Sequence, residues 1–324
     1  MTLTHGGPDA LGVARWDFST NANACGPCPV ALAAVQQADA RHYPDPEYTV
    51  LRASLAAFHA VDAERIVMAA SASEFIGRFT AWVVREGGQR VWLPAMAYGD
   101  YGRAAQAWRF ERLNEPASAH LAWLCEPSSP LGQAEPQAQA VVASGAQIVL
   151  DRAYEPLRLS GRCSLDPATL QGVWQLWTPN KAMGLTGVRG AYAIAPVHAV
   201  ADARALDQLA PSWPLGAHAV ALLGAWVSPG AQDWLTQSLE TLRAWKREHM
   251  DLLNDLGWRV LPSEANYVCA APPRPIDAQA LRAAGIKLRD TTSFGLPGHW
   301  RLGVLPPQAQ AALHMALREQ ERVA

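Results

Sequence analysis

Apolar positions change their spacing repeatedly along this chain, and those changes mark out its elements. Residues 1–45 are polar and rich in Gly, Pro and Asn, interrupted by one apolar run at 30–37 that suits a short helix. From Tyr43-Pro44-Asp45-Pro46 onward, Leu51, Leu55, Ala56 and Phe58 recur at helical spacing, and 65–70 reads as a strand. Phe75, Ile76, Phe79, Trp82 and Val83 then mark a helix that Gly87-Gly88 ends. The alternation continues with strands at 90–93, 120–125, 148–150 and 173–177 and helices at 100–108 and 136–144. Such alternation predicts an α/β fold: a mostly parallel sheet flanked by helices, with ligands gathered at the carboxyl ends of its strands. Beyond Tyr192 the pattern turns helical over 214–225 and 234–256, then reads strand, helix, strand, strand, helix at 267–270, 277–284, 286–289, 300–304 and 307–322. Three parts follow: an N-terminal arm over 1–42 that joins the small domain, a large domain over 43–230 and a smaller α+β domain over 231–324.

Composition narrows the class. A chain of 324 residues, 50% hydrophobic and 17% charged, can bury a large core. Its 27 basic residues balance 29 acidic ones with no run of like charge, which argues against nucleic-acid or anionic-membrane partners and for a small substrate. The first residues lack a basic-then-apolar signal pattern and no apolar run reaches spanning length, so the expected location is the cytoplasm. Five scattered cysteines argue against a disulfide framework. Cys25-Gly26-Pro27-Cys28 has the letters of a thiol redox site, but Ser19-Thr20-Asn21-Ala22-Asn23 before it is turn chemistry rather than a strand, so it reads as a loop.

Special residues collect where strands end: 71–73, 94–101, 127–132, 151–154 and 178–181. Lys181 follows the strand at 173–177, with Thr178 three residues before it and Arg189 eight after. A sheltered lysine loses proton affinity and becomes an amine able to form a Schiff base, beside which Thr178 and Arg189 can hold a phosphate. The small residues Ser71-Ala72-Ser73 open a helix whose free N–H groups suit an anion. A dinucleotide-binding alternative requires Gly-x-Gly-x-x-Gly after the first strand; Gly184, Gly187 and Gly190 are spaced differently and come late.

These residues resemble the pyridoxal-phosphate enzymes of the aspartate aminotransferase fold, and more narrowly the threonine-phosphate decarboxylase and histidinol-phosphate aminotransferase branch. The resemblance rests on Asp151-Arg152-Ala153-Tyr154 and on the segment from Thr178 to Arg189, and extends to nearly the whole chain. His5-Gly6-Gly7, Asp17-Phe18-Ser19, Tyr43-Pro44, Ser263-Glu264-Ala265-Asn266-Tyr267 and Trp300-Arg301-Leu302 support it. It implies pyridoxal 5'-phosphate on Lys181, which also shuttles protons; Asp151 paired with the ring nitrogen; Tyr154 on the phenolic oxygen; and Tyr98, or its neighbour Tyr101, against the ring face. It places the phosphate on Ala72, Ser73 and Thr178 beside Ser71, with Arg189 dominant. Tyr43 reaches across a two-fold homodimer. Arg301 grips a carboxylate and Arg289 a second anion, while His5, Asn21 and Asn23 close the pocket over a small phosphorylated amino acid. No metal is implied.

Ser129 stands where the family usually has an asparagine that contacts the phenolic oxygen, Ser71 where glycine is common, and Arg152 where an acid is frequent. The opening His-Gly-Gly is similar to the cobalamin-pathway decarboxylases, so the resemblance favours decarboxylation of threonine phosphate to aminopropanol phosphate. The alternatives are an aminotransferase of the histidinol-phosphate type and a binding protein that keeps this fold without its catalysis.

Overall fold

The computed structural model describes residues 6–323, so His5 lies outside the described residues. Seven strands form the main sheet, in the order Ile66–Ala69, Ala191–Ile194, Trp174–Trp177, Gln147–Asp151, Leu121–Cys125, Arg90–Trp92, Glu111–Leu113. Pairing is parallel from Trp174–Trp177 outward to Glu111–Leu113. The Ala191–Ile194 strand runs antiparallel to both its neighbours, so Ile66–Ala69 ends at the same edge as Trp174–Trp177. Central strands are apolar on both faces because helices cover both. Trp123 and Trp174 are fully buried on one face, where Phe79 packs edge-on to each.

The pattern that marked five of these strands missed two. Ala191-Tyr192-Ala193-Ile194 is half alanine, a poor strand former, and carries no alternation because all four residues are buried. Glu111–Leu113 is a short edge strand with two exposed residues. The helix Val200–Gln208 also fell in a stretch left unassigned. The long helix begins at Pro229 rather than 234: proline in the first turn and the Ser228 hydroxyl, accepting from the Ala231 amide at 3.4 Å, start it before its apolar face begins.

A second, antiparallel sheet runs Arg289–Asp290, Trp300–Gly303, Tyr267–Ala271, Arg259–Val260. The strand expected at 286–289 is two strands, since Ile286–Lys287 turns away to pair in parallel with Trp16–Asp17 of the arm. The arm thereby joins the C-terminal part through a two-stranded ladder. On the long helix, Lys246 is buried and donates to the carbonyls of Ser263 (2.5 Å) and Ala265 (2.7 Å), fixing the segment that leads into Tyr267–Ala271. Among the described residues no helix is long and apolar enough to cross a membrane.

Candidate active site

One edge of the main sheet collects the expected groups, and the antiparallel strand explains how. Ala69 lies opposite Ala191 and Trp177 opposite Tyr192, so the chain enters Ala191–Ile194 between the ends of the two neighbouring strands. Ser71–Ser73, Thr178 and Arg189, which precedes that entry by two residues, are therefore delivered to one place. Ser71 caps the helix Ala72–Arg85, accepting from the Glu74 amide at 3.1 Å. The Ser73 hydroxyl donates to Asp100 at 2.5 Å. The helix-start N–H groups of Ala72 and Ser73 remain for an anion. Thr178 is 6% exposed and its Oγ1 has no partner among the described residues. Arg189 is exposed.

The lysine loop is held from two sides. Ala182 and Met183 are fully buried, whereas Lys181 turns the other way, its Nζ 5.0 Å from the Tyr154 ring centroid. The chain has three lysines, and the other two are engaged: Lys246 on carbonyls, Lys287 on Asp9 and the Gly7 carbonyl. From the arm, the Asn23 amide donates to the Lys181 carbonyl (2.9 Å), its side-chain Nδ2 to the Ala182 carbonyl (3.1 Å), and the Cys28 amide to the Met183 carbonyl (2.9 Å). The Asn23 Oδ1 accepts from the Cys25 amide at 3.0 Å, so both ends of this side chain are engaged on backbone. Gly184 has φ +67°, and a Cβ there would meet the Gly26 carbonyl oxygen at 2.6 Å. The Cys-Gly-Pro-Cys segment is thus packing for the lysine loop. All five cysteines are free, and burial pushes the Cys25 thiol up.

On the neighbouring strand Asp151 is 4% exposed, with Oδ2 accepting from the Tyr101 hydroxyl (2.6 Å) and Oδ1 from the Ala153 amide (2.9 Å). Burial pushes this carboxyl upward, against its two hydrogen bonds and the charge of Lys181. Tyr101 is fully buried and stacks on Trp123 (4.8 Å, 10°), so it supports Asp151 and is no alternative to Tyr98 as a stacking ring. Tyr98, the residue before the helix Gly99–Ala107, stays half-buried. Sequence reasoning missed the Asp100 and Tyr101 roles; an acid and a tyrosine in the first turn of the helix Gly99–Ala107 are their sequence signal.

Arg301 is 6% exposed; it donates to the Ser129 hydroxyl (2.9 Å) and the Ser19 carbonyl (3.1 Å), leaving Nε without a partner among the described residues. The Phe294 ring lies beside both guanidinium groups, 5.4 Å from that of Arg301 and 4.9 Å from that of Arg289. Arg289 also donates to the Ser293 hydroxyl at 2.8 Å. Asn21 is 1% exposed and donates to the Tyr154 hydroxyl at 3.4 Å. Tyr43 lies elsewhere, 77% exposed and stacked on Trp213 at 4.3 Å. The donor set of one amine, one buried carboxylate, two phenols and unpartnered Thr178 Oγ1 fits a phosphorylated aldehyde with a basic ring nitrogen.

A histidinol-phosphate aminotransferase of Halorubrum lacusprofundi is 27% identical over 311 residues, covering 88% of this chain and 83% of that protein. Among solved structures, a histidinol-phosphate aminotransferase from Sinorhizobium meliloti in complex with pyridoxal-5'-phosphate has a TM-score of 0.81 at 24% identity, covering 99% of this chain and 96% of that one. The L-threonine-O-3-phosphate decarboxylase of Porphyromonas gingivalis has a TM-score of 0.76 at 21% identity, covering 94% and 99%. These two structures speak for the fold, and aspartate aminotransferase variants of Thermus thermophilus share it. The sequence profile of aminotransferase class I and II matches residues 16–318, nearly the whole chain, and the chain belongs to that family.

Proposed function

We propose that this chain is a pyridoxal-phosphate-dependent aminotransferase of the histidinol-phosphate type, acting on a small phosphorylated amine with a dicarboxylic partner. The observation that carries this reading is the placement of Lys181 and Asp151 after adjacent strands, with Arg301 and Arg289 buried beside one aromatic ring. Pyridoxal phosphate is the cofactor; when bound, it supplies an electron-withdrawing ring that accepts the electrons released at the substrate's alpha carbon. Lys181 holds it and then carries a proton at that carbon. Asp151 keeps the ring nitrogen protonated, with Tyr101 and Ala153 fixing its oxygens. Tyr154 meets the phenolic oxygen and Tyr98 covers the ring face. The phosphate rests on the Ala72 and Ser73 amides, Thr178 and Arg189.

The Arg301 guanidinium, fixed by the Ser129 hydroxyl and the Ser19 carbonyl, takes a carboxylate of the dicarboxylic partner, and Arg289 takes a second anion, carboxylate or phosphate. The likeness to histidinol-phosphate aminotransferases supports the aminotransferase reading. We further propose a two-fold homodimer in which Tyr43 meets the neighbour's cofactor, and a cytoplasmic location.

A second reading, decarboxylation of threonine phosphate, has one observation in its favour. Gly6 and Gly7 of the arm pack against Ser19, whose carbonyl holds Arg301: the Gly7 amide donates to the Ser19 hydroxyl at 2.8 Å, and a Cβ at Gly6 would overlap the Ser19 carbonyl. Incubation with histidinol phosphate and 2-oxoglutarate is expected to give glutamate. Carbon dioxide from threonine phosphate, without glutamate from the first mixture, would overturn the aminotransferase reading in favour of the second. A visible band retained in Lys181→Ala would remove the lysine assignment.

A further inference from the structure

One side chain of the arm reaches a tyrosine of the site, and its direction of donation has consequences. An amide Nδ2 can only donate, and the Asn21 Nδ2 lies 3.4 Å from the Tyr154 hydroxyl oxygen. A hydroxyl that receives a donor on its oxygen must send its own proton elsewhere. Tyr267 closes one flank, edge-on to the Tyr154 ring at 4.9 Å, and Lys181 lies over the face of that ring at 5.0 Å. Asn21 itself is fixed: its carbonyl accepts from Asn266 Nδ2 at 3.2 Å, and the side chain is 1% exposed. Its Oδ1 is buried without a partner among the described residues, so nothing competes for the side chain on the protein side.

We propose that Asn21 is a positioning residue that turns the Tyr154 proton toward the phenolic oxygen of the cofactor held by Lys181. This rests on the pyridoxal-phosphate reading above and reassigns Asn21 from the substrate to the cofactor's electronics. Ser129, the other candidate for that oxygen, is instead bonded to Arg301.

The consequence is spectroscopic. A donor on the phenolic oxygen draws charge from it and loosens the proton on the nitrogen that joins cofactor to Lys181. Losing that donor raises the pH midpoint of the visible band by about one unit, a tenfold change in the proton equilibrium. The test compares that midpoint in the cofactor-loaded wild type, Asn21→Leu, Tyr154→Phe and the double variant. Each single variant is expected to raise it, and the double variant to match Tyr154→Phe alone, because Asn21 acts only through the tyrosine. Asn21→Asp keeps the shape but accepts where Asn donates; it replaces Asn21→Leu if that variant fails to fold, with an upward shift that shrinks when Tyr154 is Phe. An unchanged midpoint in Asn21→Leu, or shifts that add in the double variant, overturns this inference alone. A wild type that gains no band with pyridoxal phosphate overturns the cofactor reading and this inference with it.

Discussion

Asp151→Asn separates what this carboxylate does for the fold from what it does for chemistry. Asparagine keeps an oxygen for the Ala153 amide at 2.9 Å and turns an NH2 toward the Tyr101 oxygen, now 2.6 Å from Oδ2, so both contacts survive in altered form. Burial already pushes the Asp151 carboxyl upward, meaning the cofactor-free protein carries this charge at a cost. Removing it leaves the cofactor-free protein as stable as before or more so. With the cofactor bound the sign reverses, because the protonated ring nitrogen loses its counter-charge. An uncompensated buried charge costs about 3–5 kcal/mol, or about 10²–10⁴-fold in rate. The assay pairs kcat/KM for transamination with urea unfolding of the cofactor-free protein. A variant within about threefold of wild-type kcat/KM, a change of ~0.7 kcal/mol, would refute the assigned role. So would an activity loss matched by an equal loss of cofactor-free stability, since the carboxylate would then be structural.

Gly184→Ala forces a side chain into φ +67° and against the Gly26 carbonyl; we expect a stability loss of at least about 1 kcal/mol in thermal melts and weaker cofactor retention on dialysis. Borohydride reduction of the loaded protein, followed by peptide mapping, is expected to label Lys181 and neither Lys246 nor Lys287, which their hydrogen bonds engage. Burial lowers His59 and His249 from 6.5 to about 4, so the unfolded chain takes up protons in that window that the folded one refuses. Stability is therefore full above 6.5 and falls as pH drops toward 4, by at most about 3 kcal/mol for each histidine. His249→Phe, replacing a ring already stacked on Phe18, is expected to flatten the dependence seen by urea unfolding between neutral and acid pH.

The parts of the site legible in the sequence are those tied to strand ends. A buried parallel strand is a short apolar run, so the first polar residues after it, Asp151 and Thr178 through Lys181, stand out by position. Arg189 stands out by its spacing from Lys181, but the reason it reaches the edge is hidden in an alanine-rich strand that mimics a helix start. Hydrogen-bond choice was illegible for a different reason. Ser73 selects Asp100 across 27 residues and Tyr101 selects Asp151 across 50, selections made by tertiary distance and not by any local spacing. Asn21 and Asn23 differ by two positions and have unrelated partners, the first a phenol and the second a peptide carbonyl.

The ladder between Trp16–Asp17 and Ile286–Lys287 bears on the order of synthesis. The arm leaves the ribosome well before its docking partners, Asn266, Ile286 and the Gly303 amide that donates to the Phe18 carbonyl at 2.7 Å. The arm's grip on the backbone at Lys181 to Met183 matures only when those strands exist. A nascent chain can finish the main sheet and still lack the clamp on its lysine loop. Stable capture of the cofactor then reports that translation has run past Gly303.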